Sequence, residues 1–231
     1  MTQTQTQTQH HRSPLRVLED NFRRPTGSAG RLVGHLMAVQ HRTLTVWTIG
    51  QMAVRPTDRV LDVGCGGGMA LKLLADRARD GLVTGLDYSR EMVDQAARRN
   101  AAAVRRGTVE VRHGDAMALP YDDGSFDQVC AIETFYFWPD PLRGLAQAYR
   151  VLRPGGRITV ALEMSREAAA DPTLFQRYFG KRFTERSVQD GLAILSGAEL
   201  TGMLVEAGFR DARFAAEPRK SLGWLCAQAV K

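Results

Sequence analysis

The most informative part of this 231-residue chain is the stretch RVLDVGCGGG at residues 59–68. Its first five residues are mostly apolar and predict a short, buried β-strand. The glycines that follow allow left-handed backbone angles and let a ligand approach the main chain closely. We therefore expect a binding site for a nucleotide-type ligand where this strand ends.

The spacing of the glycines distinguishes this loop from two other kinds of glycine-rich loop. The dinucleotide fingerprint Gly-x-Gly-x-x-Gly is not met, because Met69 stands at the third glycine position when the count begins at Gly64. A phosphate-binding loop is excluded as well, because no Gly-Lys-Ser/Thr follows. The pattern that does match is acid-x-Gly-x-Gly-x-Gly, formed by Asp62, Gly64, Gly66 and Gly68.

On both sides of the loop, short apolar runs alternate with longer amphipathic ones. Strands are predicted at residues 59–63, 82–86, 109–111, 127–132, 157–162, 209–215 and 222–230. Helices are predicted at residues 31–53, 69–78, 89–104, 140–152 and 199–206. This order indicates an α/β fold with a doubly wound, mainly parallel sheet and helices on both faces. The last two strands are close enough in sequence to be antiparallel neighbours.

Two further acids stand where the second and third strands end. The Asp87 carboxylate could accept hydrogen bonds from both hydroxyls of a ribose, and it could also cap the helix that begins at Ser89. Asp115 could accept a hydrogen bond from an adenine amino group, or it could be an ordinary turn acid. Ligands of doubly wound sheets bind beyond the carboxyl ends of the strands, where both acids lie.

Five ordered motifs carry a family resemblance: VLDVGCGGG at 60–68, GLDYS with Met92, GDA with Leu119-Pro120, GSFD at 124–127 and VLRPGG at 151–156. They resemble the class I S-adenosylmethionine-dependent methyltransferases, and most closely the ubiquinone/menaquinone-methylase-like small-molecule branch. The resemblance covers about residues 58–163. It implies a Rossmann-like sheet of seven strands with the last strand antiparallel. It also implies S-adenosyl-L-methionine as cofactor and S-adenosyl-L-homocysteine as product.

The resemblance further implies which residues contact the cofactor. The methionine part would lie over the glycine loop, beside Asp62, Gly64, Cys65, Gly66 and Gly68. The ribose would bind Asp87, and the adenine would be flanked by Tyr88, Met92, Asp115 and Ala116. Glu133 could orient the methionine end or act as a base, and it could equally be an acid at the edge of a helix.

The acceptor is expected beyond the fourth strand, where residues 133–140 read ETFYFWPD. Four consecutive aromatic residues can form an apolar wall that suits a flat or greasy substrate and excludes water. We expect Phe135 and Phe137 to point inward and Tyr136 or Trp138 to face the acceptor. Tyr136 is therefore a candidate catalytic and substrate-contacting residue, and Trp138 a second substrate contact; the alternative is that they only pack the next helix.

Residues outside the motifs are expected to cover the acceptor. Phe179 is a third candidate substrate contact, in an insertion at about 165–196, although residues at this spacing also serve simple packing. His41 is a candidate general base on the preceding helix, with a structural or solvated histidine as the alternative. We divide the chain into an irregular tail at 1–30, a helical extension at 31–57 and a methyltransferase domain at 58–231.

The residues after the fourth strand also narrow the range of reactions that the chain could catalyse. The chain lacks the Asn/Asp-Pro-Pro-Tyr motif of adenine- or amide-nitrogen methylases, the Pro-Cys nucleophile of cytosine C5 methylases, and the clustered carboxylates of metal-dependent catechol-type methylases. Cys130 lies within an apolar strand, where we expect it to be inert. We expect metal-independent methyl transfer to O or N of a small molecule, such as a natural product, or of a peptide. The alternatives are a cofactor-binding regulatory protein without turnover, an RNA methyltransferase and a nicotinamide oxidoreductase.

Composition sets broader limits on partners and location. The formal net charge is +6, but the basic pairs are scattered along the chain and are typical of solvated faces, so no nucleic-acid partner is expected. Three scattered cysteines form neither a disulfide framework nor a metal-ligand cluster. No apolar stretch approaches the ~18 residues of a membrane span, and no leader is recognisable. We expect a cytoplasmic protein without a metal or a membrane partner.

Overall fold

A computed structural model describes residues 42–169 and 192–231 of the chain. Seven strands form one sheet in it: β1 Arg59–Val63, β2 Leu82–Asp87, β3 Val109–His113, β4 Phe126–Ile132, β5 Leu152–Leu162, β6 Arg210–Glu217 and β7 Trp224–Val230. Their order across the sheet is β3-β2-β1-β4-β5-β7-β6. Strand β7 is antiparallel to both of its neighbours, whereas the other pairs are parallel. The predicted α/β sheet with an antiparallel last strand is confirmed.

Six helices are described: α1 Arg42–Gln51, α2 Met69–Ala75, α3 Arg90–Arg99, α4 Ala101–Arg105, α5 Pro141–Val151 and α6 Gly197–Glu206. Helix α5 begins as predicted, because the Asp140 side chain accepts a hydrogen bond from Arg143 N and Pro141 holds the first position. The single helix predicted at 89–104 is instead two helices, since Asn100 leaves the helical conformation between them. Part of the helix predicted at 31–53 is present as α1.

Strand β5 is longer than predicted at its amino-terminal end. The sequence pattern begins this strand at residue 157, whereas in the structure it begins at Leu152 and includes Pro154, Gly155 and Gly156. Gly155 N donates to Lys231 O at 3.0 Å, and Lys231 N donates to Gly156 O at 2.9 Å. The last residue of the chain therefore extends the pairing of β5, a contact that local sequence pattern does not report.

Helices cover both faces of the sheet, and each face has its own apolar core. On one face the side chains of α1 and α2, among them Ile49 and Leu71, pack against β1, β2 and Cys130 of β4. On the other face α5 and α6, with Leu145 and Leu200, pack against β4, β5 and β7. Strands covered on both sides are apolar along their length, which explains the continuous apolar runs in the sequence.

The direction of strand addition reverses between β1 and β4. A crevice opens at such a reversal, beyond the carboxyl ends of the strands, because the connections leave the sheet on opposite sides. The loop after β1, the end of β2 and the segment after β4 therefore meet at one edge. No helix of the described residues is both long and apolar enough to cross a lipid bilayer.

Candidate functional site

Gly64 begins the loop after β1 and allows this loop to pack closely against the segment after β4. Its φ is +78°, and a Cβ at this position would overlap the Thr134 side chain. The main-chain N–H groups of Gly64 and Cys65 both donate to Leu86 O, at 2.7 and 3.0 Å. Only glycine satisfies both the left-handed angle and the close approach, so the loop is held tightly between β2 and the segment after β4.

Gly66 leaves the main chain bare at the edge of the sheet. Its φ is +50°, and a Cβ built there would meet nothing within 4 Å. Its N–H group donates to Asp87 Oδ2 at 2.8 Å. The glycine is therefore not required by neighbouring side chains, and the open space beside it could receive a ligand.

Asn100, which belongs to none of the sequence motifs, supports the far end of the loop. Its side-chain amide donates to Gly68 O at 3.0 Å and to Ala96 O at 2.9 Å. Gly68 has φ +76° and precedes α2, so this hydrogen bond ties the start of α2 to the end of α3. The only sequence signal was an asparagine that interrupts an amphipathic pattern, since asparagine is a poor helix former.

Asp62 is the most unusual acid of the site. Its side chain is buried, with Oδ1 accepting from the Cys130 thiol at 3.5 Å and Oδ2 lacking a described partner. Burial raises the pKa of Asp62 to about 7, the Cys130 hydrogen bond opposes that shift, and the charge of Asp87 adds to it. A buried carboxylate oxygen without a partner is costly, which is typical of a site that receives a cationic group.

Asp87 ends β2 with both carboxylate oxygens in use. Oδ2 accepts from Gly66 N and Oδ1 from Ser89 N at 2.9 Å. Burial raises the pKa of Asp87, while the hydrogen bonds from Ser89 and Gly66 and the charge of His113 oppose the shift. Ser89, and not Asp87, caps α3, because its hydroxyl accepts from Met92 N. Each carboxylate oxygen can accept a second hydrogen bond, so a ribose could still bind here.

The residues expected around the adenine differ in exposure. Tyr88 is 55% exposed, and its carbonyl oxygen lies 2.9 Å from His113 Nε2, whereas Met92 is buried. Asp115 Oδ1 accepts from Met117 N at 2.8 Å, which is the arrangement of a turn acid. Ala116 lies within that turn and is partly buried. An adenine could lie between Tyr88 and this turn, because Gly114 N binds Asp87 O and joins the two segments.

Glu133 leaves β4 with a φ of +60°, a rare angle for a residue with a side chain. Its N–H group donates to Ala161 O at 2.9 Å, and its Oε1 accepts from Glu163 N in a short hydrogen bond. The carboxylate therefore bridges the carboxyl ends of β4 and β5. Strained backbone of this kind is found most often at functional sites.

The Tyr136 hydroxyl is fully engaged in hydrogen bonds. It donates to Met164 O at 3.0 Å and accepts from Met164 N at 2.8 Å. Burial raises the pKa of Tyr136 well above its ordinary value, and the charge of Glu133 adds to that shift. Proton transfer by this hydroxyl would require it to leave Met164, so its geometry favours a positioning role.

The expectation that Phe137 points inward is wrong. Residues Phe135–Phe137 form a 3-10 turn, in which side chains three residues apart lie on the same side. Phe135 and Trp138 are therefore both buried, with ring centroids 5.0 Å apart, and Phe137 is 38% exposed. The expectation of alternation assumed extended backbone, which this segment does not have.

A cleft of about 230 Å³ opens beside this turn, with Tyr136 and Trp138 in its wall. The rest of its lining comes from the same turn and the residue before α5's cap, from α5 and α6, and from the residues that precede α6, namely Phe135, Pro139, Pro141, Ala193, Leu195 and Met203. No lining residue carries a charge. A flat, apolar group is the kind of ligand that such a surface favours.

Two predicted site residues, His41 and Phe179, lie outside the residues that the structure describes. Within residues 42–169 and 192–231, no three His, Cys, Asp or Glu side chains gather in a way that could hold a metal ion. The cofactor implied by the sequence motifs fits the described edge of the sheet: Asp62 offers an oxygen for an ammonium group, Gly66 offers bare main chain, and Asp87 offers acceptors for hydroxyls.

Comparison with known proteins relates the whole arrangement to one family. The family model described as "Methyltransferase domain" matches residues 61–160. Demethylmenaquinone methyltransferase of Shouchella clausii is 35% identical over 189 residues, which cover 74% of this chain and 79% of that enzyme. The 27-O-demethylrifamycin SV methyltransferase of Amycolatopsis mediterranei is 42% identical over 117 residues, which cover 51% of this chain and only 43% of that enzyme.

A solved structure supports the same relation at the level of the fold. One chain of the complex between the Haloferax volcanii Trm112 methyltransferase activator and a methyltransferase superposes with a TM-score of 0.70 at 26% sequence identity. The superposition covers 85% of this chain and 92% of that chain.

Proposed function

This chain belongs to the class I S-adenosylmethionine-dependent methyltransferases, of the menaquinone-methylase-like kind, and from that premise we propose that it methylates an oxygen or nitrogen atom of a small, partly apolar acceptor without a metal ion. The cofactor is S-adenosyl-L-methionine, and the other product is S-adenosyl-L-homocysteine. The observation that carries the proposal is the edge of the sheet that holds Asp62, Gly66 and Asp87, where the glycine loop packs against Thr134 just before the aromatic residues.

We assign the cofactor contacts from the chemistry of each group. The Asp62 carboxylate would bind the ammonium of the methionine part, because its Oδ2 is buried and has no described partner. Gly66 would lie against the methionine part, where any side chain would occupy the ligand's space. Asp87 would bind the ribose hydroxyls, and Tyr88 with the turn at Asp115 would flank the adenine.

The bound cofactor supplies an electrophilic methyl group on a sulfonium, which needs little further activation. The chain's own contribution is to align an acceptor atom with that group and to exclude water, and alignment alone contributes several kcal/mol to catalysis. Phe135 and Trp138 stiffen the wall by packing on each other. Tyr136 anchors the wall to Met164 through both of its hydrogen bonds.

An acceptor hydroxyl or ammonium must also lose a proton. Glu133 lies two residues before the aromatic wall, and its carboxylate bridges β4 and β5. His41 remains a predicted base outside the described residues. For a carboxylate acceptor no base is needed, so the pH dependence of turnover will depend on the acceptor.

The apolar cleft supports a small-molecule acceptor more than an extended polymer. Its lining holds aromatic, proline and aliphatic side chains and no charge. Two relatives are named for small molecules, demethylmenaquinone and 27-O-demethylrifamycin SV, which also favours a small-molecule acceptor for this chain. We propose that Tyr136, Trp138 and Phe179 contact the acceptor.

The test has two steps. Calorimetry with S-adenosyl-L-homocysteine measures the cofactor site first, and release of this product from S-adenosyl-L-methionine is then followed with panels of phenols, hydroquinones, carboxylic acids and amines. We expect cofactor-site binding and turnover with at least one flat, partly apolar acceptor. Tight product binding with no turnover on any small molecule, together with methylation of bulk RNA that weakens steeply with salt, would contradict the proposal.

The variant Tyr136→Phe tests whether the Tyr136 hydroxyl contributes to turnover or only to stability. We expect turnover to fall about 10-fold while the affinity for S-adenosyl-L-homocysteine stays unchanged, because the wall loses its anchor at Met164 and alignment suffers. The matched control is Tyr121→Phe, which removes a buried hydroxyl that lacks a described partner and should leave turnover unchanged. Equal turnover in Tyr136→Phe would mean that the hydroxyl serves stability alone.

The cysteines bear on the proposed compartment. Cys65, Cys130 and Cys226 are all unpaired and buried. Unpaired thiols are usual in reducing compartments, which supports the cytoplasm as the proposed location.

A further inference from the structure

The register of the sheet places one particular side chain next to Asp62. In the pairing of β1 with β4, Asp62 lies directly beside Cys130. In the pairing of β1 with β2, Asp62 lies beside Gly85, which has no side chain. Neighbouring residues of paired strands present their side chains on the same face of a sheet. Cys130 is therefore the strand neighbour that can touch the Asp62 carboxyl.

The contact between them has a defined direction. Cys130 Sγ lies 3.5 Å from Asp62 Oδ1, and both side chains are buried. Burial raises the pKa of the Cys130 thiol well above its usual value, and the charge of Asp62 adds to that shift. The thiol therefore keeps its proton at neutral pH and donates a hydrogen bond to Oδ1. Oδ2 is left as the oxygen without a described partner.

The surroundings of Asp62 otherwise disfavour its ionised form. The face of the sheet on which the two residues lie is apolar, with Cys65 and Leu71 packed beside Cys130. The titratable groups that act on Asp62 from the elements around it are the Cys130 thiol of β4 and the Asp87 carboxyl at the end of β2. The Cys65 thiol of the glycine loop is buried, and burial raises its pKa well above the usual value. Among these groups only Cys130 stabilises the Asp62 charge.

We propose that Cys130 is a positioning residue for cofactor binding: its thiol holds one oxygen of Asp62, keeps that carboxyl ionised for the ammonium of the cofactor at the other oxygen, and so sets the pH below which the cofactor binds weakly. The inference rests on the proposed contact between Asp62 and the ammonium. A hydrogen bond to the charged form of an acid favours that form, so removing the donor makes ionisation harder.

The coupling between ligand binding and the protonation of Asp62 fixes the direction in which affinity changes with pH. An ammonium binds the carboxylate and not the neutral acid, so binding at a protonated Asp62 must release a proton. The pKa of Asp62 is about 7 in the cofactor-free protein, so the affinity for S-adenosyl-L-homocysteine should decline as the pH falls below that value. Loss of the Cys130 donor should move this decline to higher pH.

The experiment measures the affinity for S-adenosyl-L-homocysteine by calorimetry between about pH 5.5 and 8.5 in the full chain. In Cys130→Ala the midpoint of the decline should rise by about half a unit to one unit, because a weak donor to a charged group is lost. Affinity at about pH 6 should then fall about 3- to 10-fold, while affinity at the upper end of the range stays close to that of the wild type.

Three further variants complete the design. Cys130→Val also lacks the donor but fills more of the space, so it replaces Cys130→Ala if that variant does not fold. Cys130→Ser keeps a donor, and its midpoint should stay at or below that of the wild type. Cys226→Ala is the matched control: it removes another buried, unpaired thiol that has no hydrogen bond to Asp62, and its midpoint should not move.

The outcomes separate this inference from the proposed function. An unchanged midpoint in both donor-free variants, with or without a lower melting temperature, would overturn the role of Cys130, and so would an equal loss of affinity at every pH. Asp62→Asn tests the premise: it should weaken binding and abolish the decline near neutral pH. If Asp62→Asn binds like the wild type, the contact between Asp62 and the ammonium fails, and the proposal for Cys130 fails with it.

Discussion

At the scale of single residues, the Asp62 carboxyl is buried beside a thiol, and burial raises its pKa from the ordinary 3.8 to about 7. A group whose pKa is higher in the folded protein than in the unfolded chain makes folding less favourable as the pH rises. The stability linked to Asp62 is therefore complete below about pH 4 and is lost as the pH rises through about 7.

Replacing Asp62 with its neutral isostere should remove this loss of stability at higher pH. We expect Asp62→Asn to gain stability over the wild type in the cofactor-free form, with a gain that is larger at pH 8 than at pH 5 by about 1–3 kcal/mol. Urea denaturation of both proteins at the two pH values measures the difference. A gain that is independent of pH would mean that Asp62 does not titrate near neutrality.

Asp87 is the second acid whose role can be isolated. Asp87→Ala should weaken the affinity for S-adenosyl-L-homocysteine by about 1.5–3 kcal/mol, because charge-assisted hydrogen bonds to the ribose are lost. The variant also removes the acceptors of Gly66 N and Ser89 N, so calorimetry should be accompanied by circular dichroism to show that the fold is kept. Unchanged affinity would refute the ribose contact.

At the scale of elements, the loop between β1 and α2 uses its glycines for different reasons. Gly64 is required by packing against Thr134, whereas Gly66 faces open space at φ +50°. Gly68 has a left-handed conformation and is bound by Asn100. Of these three, only Gly66 is therefore expected to be needed for the ligand and not for packing against neighbouring residues.

A pair of alanine variants tests that distinction. Gly66→Ala should cost about 1–2 kcal/mol of stability for its left-handed backbone and should also lose cofactor affinity by at least about 10-fold. Gly107→Ala is the matched control, since Gly107 also has a positive φ, +73°, and open space around it, but lies in the turn before β3. It should show a similar loss of stability and normal affinity; normal affinity in both variants would contradict the assignment of Gly66.

At the scale of the whole molecule, the cofactor should act as a stabilising ligand. The site joins the ends of β1 and β2 to the segment after β4, so its occupation links elements that lie far apart in the chain. At about 100 times its dissociation constant, a ligand that binds only the folded state adds about 2.7 kcal/mol. For a protein of this size we expect S-adenosyl-L-homocysteine to raise Tm by about 5–10 °C.

Thermal unfolding with and without the ligand measures this shift, and adenosine alone serves as a comparison. Adenosine lacks the ammonium that we assign to Asp62, so its stabilisation should not depend on pH between about 6 and 8, whereas that of S-adenosyl-L-homocysteine should increase with pH. Equal pH dependence for the two ligands would place the titrating group elsewhere.

The sequence by itself determined the order of strands and helices along the chain and the glycine loop with its acids, whereas the single antiparallel strand of the sheet was implied by the family resemblance. The first two features were accessible because periodicity, glycine spacing and position at a strand end are local properties of the chain. The Asp140-Pro141 start of α5 was found for the same reason. The two helices on either side of Asn100 were missed, because whether an asparagine interrupts a helix depends on the partners of its side chain.

The tertiary structure alone decided which side chains meet. Thr134 against Gly64, Asn100 on Gly68 O and Cys130 on Asp62 are contacts made between segments that are distant in the chain. The orientation of the aromatic wall also depended on a 3-10 turn that a pattern of four aromatic residues does not specify. Strand register and local backbone angles set these contacts, and both follow from packing over the whole sheet rather than from the spacing of residues along the chain.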